Sequence, residues 1–147
     1  MQFSGTVDIK APREKVYAFL IDPQQFGACG PGVESIEVID ETHFEARAKV
    51  GVGFIKARFV INVERTEATP PERAVIRARG QAPGSAVDAT GTMDLREGSD
   101  PTSTVMEWQA DVVISGTIAS VGARLIESTA NKLIGQTFEC IRSRLEV

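Results

Sequence analysis

The chain is poor in the residues that most often carry chemistry. Its 147 residues include one histidine, one tryptophan, one tyrosine and two cysteines. The cysteines, Cys29 and Cys140, are far apart and show no CxxC spacing, which excludes the disulfide lattice of a small secreted scaffold and a cysteine-rich zinc site. Both are expected to be reduced and structural. No stretch approaches the roughly 18 apolar residues of a membrane span. The opening MQFSGTVDIK lacks the basic start and apolar run of a signal peptide, so a cytoplasmic location is the expectation. Positive charge is also short: 16 Lys and Arg stand against 20 Asp and Glu, a balance that offers nucleic acid no basic face. Glycines 27, 30, 32, 51 and 53 fit neither GxGxxG nor a P-loop, so nucleotide binding has no support.

What remains is a soluble α+β pattern. Hydrophobic residues make up 42% and charged residues 24%, enough to bury one core in a single domain over residues 1–147. Phe3, Gly5, Val7 and Ile9 alternate with polar neighbours and predict a strand from Gln2 to Ile9. Pro12 suits the first turn of a helix carrying Val16, Tyr17, Phe19 and Leu20, which must stop near Asp22 because Pro23 follows. A second short helix is expected through Gln24 to Phe26. Six strands follow: Ser35–Ile39, Phe44–Val50, Phe54–Arg65, Ala74–Arg79, Ala86–Arg96 and Thr102–Ser115, separated by glycine- and proline-rich turns. After Gly116, apolar residues from Ile118 to Leu145 recur at steps of three and four, predicting one amphipathic helix of about 40 Å. The order implies a seven-stranded curved antiparallel sheet wrapped around that helix, with two short helices after the first strand.

The inward face of this sheet is short of volume. Strand parity turns Ala46, Ala48, Ala57, Ala74, Ala78, Ala89, Gly91 and Ala110 inward, although alanine and glycine are poor strand formers. Either the small residues leave an apolar pocket, or they let the helix lie close to the sheet. On the pocket reading, a ligand would meet Ala57, Phe59, Ile76, Ala89, Gly91, Met93, Met106, Trp108 and Ala110 from the sheet, and Val121, Leu125 and Ile126 from the helix. The entrance would lie among Phe26–Val33, Gly51–Gly53, Ala82–Gly84 and the start of the long helix.

No catalytic residue, metal ligand or cofactor emerges. His43 begins a strand beside Glu41 and Thr42 and reads as a surface residue. Asp88, Asp94, Glu107 and Asp111 share the outward parity with Arg47, Lys49, Lys56, Arg58, Arg77 and Arg79, a pattern explained by cross-strand ion pairs on a wet face.

Four segments together resemble a known family. They are the N-terminal strand with its Pro-initiated helix, FGACGPGVESIEVID, ARAKVGVGFIKARFVINVE, and SGTIASVGARLIESTANKLIGQTFE. They are similar to the carbon monoxide dehydrogenase G-subunit family, of the START-like, Bet v 1-like superfamily of helix-grip folds, from Phe3 to about Leu145. The most specific matches are Cys29, Pro31, Gly32 and Glu34, then Lys49 to Gly51, Lys56 and Phe59, then Gly122, Arg124 to Ile126, Ala130, Lys132, Leu133, Gln136 and Phe138. Gly30 and Thr137 depart from the family pattern, which has an aliphatic and an aromatic residue there.

The resemblance implies a deep apolar cavity for a lipid, quinone or similar ligand. It also implies an accessory role beside a molybdenum-containing carbon monoxide dehydrogenase at the inner membrane face. A complex with such a molybdenum hydroxylase, peripheral membrane contact and a homodimer are the expected associations. Some members carry a hydrophobic tail after the long helix; none follows here before Val147, so anchoring through this sequence is not expected. The leading expectation is thus a non-enzymatic carrier. The alternatives are a cyclase- or dehydratase-like enzyme using the same cavity, since one fold hosts many functions, and an interaction module in which the pocket is incidental.

Overall fold

The computed structural model of the protein describes residues 1–146; Val147, the last residue of the expected domain, lies outside the described residues. The chain runs β1 (Gln2–Ile9), α1 (Arg13–Leu20), α2 (Pro23–Ala28), β2 (Val33–Val38), β3 (His43–Val52), β4 (Ile55–Thr69), β5 (Arg73–Ala82), β6 (Ser85–Glu97), β7 (Thr104–Gly116), a 3-10 turn (Thr117–Val121) and α3 (Ala123–Leu145). All seven strands pair antiparallel in the order β1-β7-β6-β5-β4-β3-β2. Every connection from β2 to β7 is therefore a hairpin between neighbours, and β1 completes the sheet by joining β7.

Local chemistry sets the boundaries that differ from expectation. α2 begins at Pro23 because the Asp22 carboxylate caps it, accepting the Gln24 and Gln25 backbone N–H groups at 3.0 and 3.3 Å. β4 runs on to Thr69, past Arg65, through a bulge between Arg65 and Glu67 that resets its register with β5. The long helix is shorter than its apolar periodicity suggests. Gly116 and Gly122 take φ of +86° and +102°, and the segment between them winds as a 3-10 turn. α3 itself has 23 residues, about 35 Å.

The interior divides into two parts. The dense part gathers Ile9, Ala11, Val16, Tyr17, Phe19, Leu20, Ala74, Met93, Leu95, Met106, Ile141 and Leu145, placing α1 and the last turns of α3 against the β1, β5, β6 and β7 face. Ile9, Val16, Met106 and Ile141 are 1% exposed or less, and a side chain of this kind contributes about 1.5–3 kcal/mol by burial. Thr104, at the start of β7, donates its hydroxyl to the Ala11 carbonyl at 2.7 Å and so ties the sheet to the chain entering α1. The second part is smaller: Val52, Phe59, Ile118 and Ile126 at the other end of α3.

The two cysteines correct the sequence reading. Cys29, at the end of α2, and Cys140, in the penultimate turn of α3, are disulfide-bonded across a separation of 111 residues. Spacing carries no sign of this pair, because the fold alone brings the two elements together. The bond pins the C-terminal half of α3 to the dense core. A bridge closing so long a loop contributes about 2–4 kcal/mol. Cys140→Ser, or a reductant acting on the wild type, should lower the midpoint of a circular-dichroism melt by about 5–15 °C. Equal midpoints with and without reductant would show that the bond adds nothing to stability.

Candidate ligand-binding site

Around the smaller cluster the side chains do not fill the space. A pocket of about 260 Å³ is lined by Val50, Val52, Phe59, Ile61, Ala78, Gly80, Val87, Ala89, Val112, Ile114, Ile118, Ile126, Thr129, Ala130 and Leu133. The strand ladder explains its floor. Val112, Ala89, Ala78 and Val63 pair across β7, β6, β5 and β4, and Ile114, Val87, Gly80 and Ile61 form the next inward row. Each row has its smallest residues at the centre, and the middle of α3 spans them with Thr129 and Ala130.

The glycines on this face show what the small residues are for. A Cβ at Gly80 would come no nearer than 3.4 Å to Phe59 and 3.6 Å to Ile61; at Gly91 the nearest atom is Ile76 Cγ1 at 3.5 Å. These are ordinary contacts, and the nearest atoms at both sites belong to the sheet. Neither glycine is there to let α3 approach closely, and the missing volume at Gly80 appears as pocket.

The residues singled out from the sequence fall into five groups. Phe59, Ala89 and Ile126 line the pocket. Ala57 and Val121 pack against the small cluster at its end. Met93 and Met106 are buried in the dense core, and Ile76 and Trp108 pack against that core; Trp108 faces inward, its ring 5.0 Å from that of Phe138. Gly91 and Ala110 pair across β6 and β7 in the row between. Leu125 is 38% exposed at the start of α3, facing the hairpin tip, where a Cβ on Gly53 would meet its Cδ2 at 2.7 Å. Parity turns Ile61, Ala78, Val87, Val112 and Ile114 inward, and Ala130 and Leu133 follow Ile126 at four and seven residues. That spacing is the sequence signal for the roof.

Among the described residues nothing ionisable lines the pocket. Thr129 has the only polar side chain there, and His43, Tyr17 and the carboxylates are all elsewhere. Tyr17 is buried in the dense core with its hydroxyl unpartnered, and burial pushes its pKa up. Among the described residues no three metal-binding side chains gather, and no helix is long and apolar enough to cross a membrane.

The outer face of the sheet carries the charge. Arg73 bridges Glu67 at 2.6 Å and Asp94 at 2.9 Å, Arg79 lies 3.8 Å from Asp88, and Arg96 pairs with Glu107. Such exposed pairs contribute about 0–1 kcal/mol each. His43 lies 2.9 Å from Asp40 and 3.6 Å from Glu64. The hydrogen bond from His43, with that from the Thr42 backbone, holds the Asp40 carboxyl at about 2, and the same bond raises the His43 pKa above 6.5.

The helix-grip arrangement, a curved antiparallel sheet closed over one long helix, is that of the START-like, Bet v 1-like proteins. The fold superposes on a conserved protein from Geobacillus kaustophilus with a TM-score of 0.91 at 25% identity, over 99% of this chain and 95% of that one. The ZhuI aromatase/cyclase from Streptomyces sp. R1128 matches at 0.73 and 16% identity, over 99% and 93%. A START superfamily protein from Mycobacterium smegmatis matches at 0.71 and 13%, over 99% and 97%. No curated protein matches the sequence. The family model of the carbon monoxide dehydrogenase G subunit, CoxG, matches residues 5–146, and the chain belongs to that family.

The contrast between pocket and dense core can be measured. Ala89→Phe should fill the pocket, abolish binding of a neutral lipophilic probe and leave the urea midpoint nearly unchanged. Ala74→Phe, at a site 2% exposed in the dense core, should cost at least about 1–3 kcal/mol. Equal losses of stability would mean that the pocket is as tightly packed as the core. On the outer face, the raised His43 pKa means that its pairing with Asp40 stabilises the fold fully below about pH 6.5. That contribution is lost as pH rises through the higher folded value; Asp40's own contribution, present above its unfolded value, is lost only as pH falls towards 2. The His43 ring proton should titrate above 6.5 by NMR and return towards 6.5 in Asp40→Asn. An unchanged midpoint in that variant would remove Asp40 as the cause.

Proposed function

We propose that the protein is a carrier that holds a hydrophobic small molecule, of lipid or quinone type, between its sheet and α3. In this reading it serves a carbon monoxide dehydrogenase-like molybdenum oxidoreductase as an accessory protein. The observation that carries the reading is the lining: an apolar pocket in which only Thr129 has a polar side chain among the described residues. Family membership supports the oxidoreductase partner, and the START-like fold supports a ligand between sheet and helix. Enzymatic turnover has less support, because acid–base chemistry needs a titratable group within hydrogen-bond reach of the substrate, and the described lining supplies none. The carrier acts in the cytoplasm and meets the inner membrane face peripherally, where a lipophile is loaded or delivered.

Native mass spectrometry of the purified protein, before and after organic extraction, tests the reading. A removable adduct, or uptake of added lipophile by the extracted protein, is expected. A pocket that neither retains nor takes up any lipophile would sink it.

A further inference from the structure

We infer that the pocket takes the hydrocarbon end of an amphiphile, about ten non-hydrogen atoms in all, and leaves the polar group in water. The inference rests on the carrier reading and narrows it to a class of ligand and an orientation.

Size comes first. A cavity of about 150 Å³ lined by aliphatic and aromatic side chains takes one benzene, which has six carbons. The pocket is about 1.7 times as large, so it holds about ten carbons: a fused pair of rings, or a ten-carbon chain. The body of a two-chain lipid does not fit inside.

Hydrogen bonding comes second, and here backbone and side chains agree. The floor comes from β3, β4, β5, β6 and β7, while the sheet edges are β1 and β2. Most floor residues sit on strands paired on both sides, which engages their N–H and C=O groups; Ile114 on β7 and Val50 and Val52 on β3 lie beyond the ends of the β1 and β2 ladders. The roof comes from the interior of α3, where Ile126 N–H already bonds the Gly122 carbonyl at 3.1 Å and the residues after it continue the helical series. Among the described residues Thr129 alone adds a polar side chain.

Charge comes third. Among the described residues no Lys, Arg or His lines the pocket. A buried carboxylate or phosphate would leave water without a partner, at a cost that a short chain's burial does not recover. A ligand therefore enters hydrocarbon first, and its head makes no specific bond inside. Selection is by length and thickness of the apolar end.

The test is displacement of N-phenyl-1-naphthylamine, a neutral fluorescent probe, from the intact chain by 1-alkanols of six to fourteen carbons and by the matching alkanoates at pH 8. Affinity for the alkanols should rise about three- to fourfold per methylene and flatten near ten carbons. At equal length the ionised alkanoate should bind no more tightly than the alkanol. Ala89→Leu, which adds three carbons to the pocket wall, should move the break down by about three carbons. Steady gain to fourteen carbons would overturn the size limit. A tenfold preference for the alkanoate would overturn the head-out orientation. If neither the probe nor any alkanol binds, the carrier reading itself falls, an outcome distinct from binding without a break.

Discussion

The structure depends on the way α3 is held at one end. Ile141 and Leu145 are buried in the dense core, and Cys140 is bonded to Cys29 there, so the C-terminal turns are fixed by packing and by a covalent link. Towards its N-terminus the helix is held by Ile126 and by the cluster of Val52, Phe59 and Ile118. Between these two supports it bridges two rows with Ala89 and Ala78, and Val87 and Gly80, at their centres. A helix supported at both ends over a floor without volume must enclose space, and dense packing elsewhere prevents the sheet from collapsing into it.

The division of labour between the two parts follows from that. The part built on α1, β1 and the C-terminal turns of α3 carries most of the large buried side chains, and with them most of the stability. The part around the pocket carries few, and its boundary is made of turns: Gly53 at the β3–β4 tip with φ of +60°, and the 3-10 turn set between Gly116 and Gly122. Regions with few buried apolar contacts open at lower free energy than the core. The same end of the molecule thus combines the pocket with the segments best able to part around it.

Chemistry is segregated across the sheet. Outward positions hold the arginine–carboxylate pairs and the Asp40–His43–Glu64 group, all in contact with water. Among the described residues, inward positions around the pocket hold nothing that can ionise. One alternation along each strand produces both faces, so the apolar pocket and the charged exterior have a single cause.

The fold was legible from the sequence because it rests on local periodicities. Alternation along β3 to β7, the three- and four-residue steps of the final helix, and proline and glycine at the breaks are properties of neighbouring residues. Inward parity for Phe59 and Ala89 followed from the strand alternation, and the inward face for Ile126 from the helical steps. Depth along the strands was decided only by the tertiary structure. Met93 and Met106 share the inward face with Ala89, yet register across the sheet and the line taken by α3 set the methionines in the dense core and the alanine in the pocket. The Cys29–Cys140 bond is of the same kind: no local pattern joins residues 111 apart, and only the docking of α3 against the end of α2 brings the sulphurs together. Sequence determined which way each side chain points, because that depends on its immediate neighbours; the structure decided which side chains share a space, because that depends on where distant elements cross.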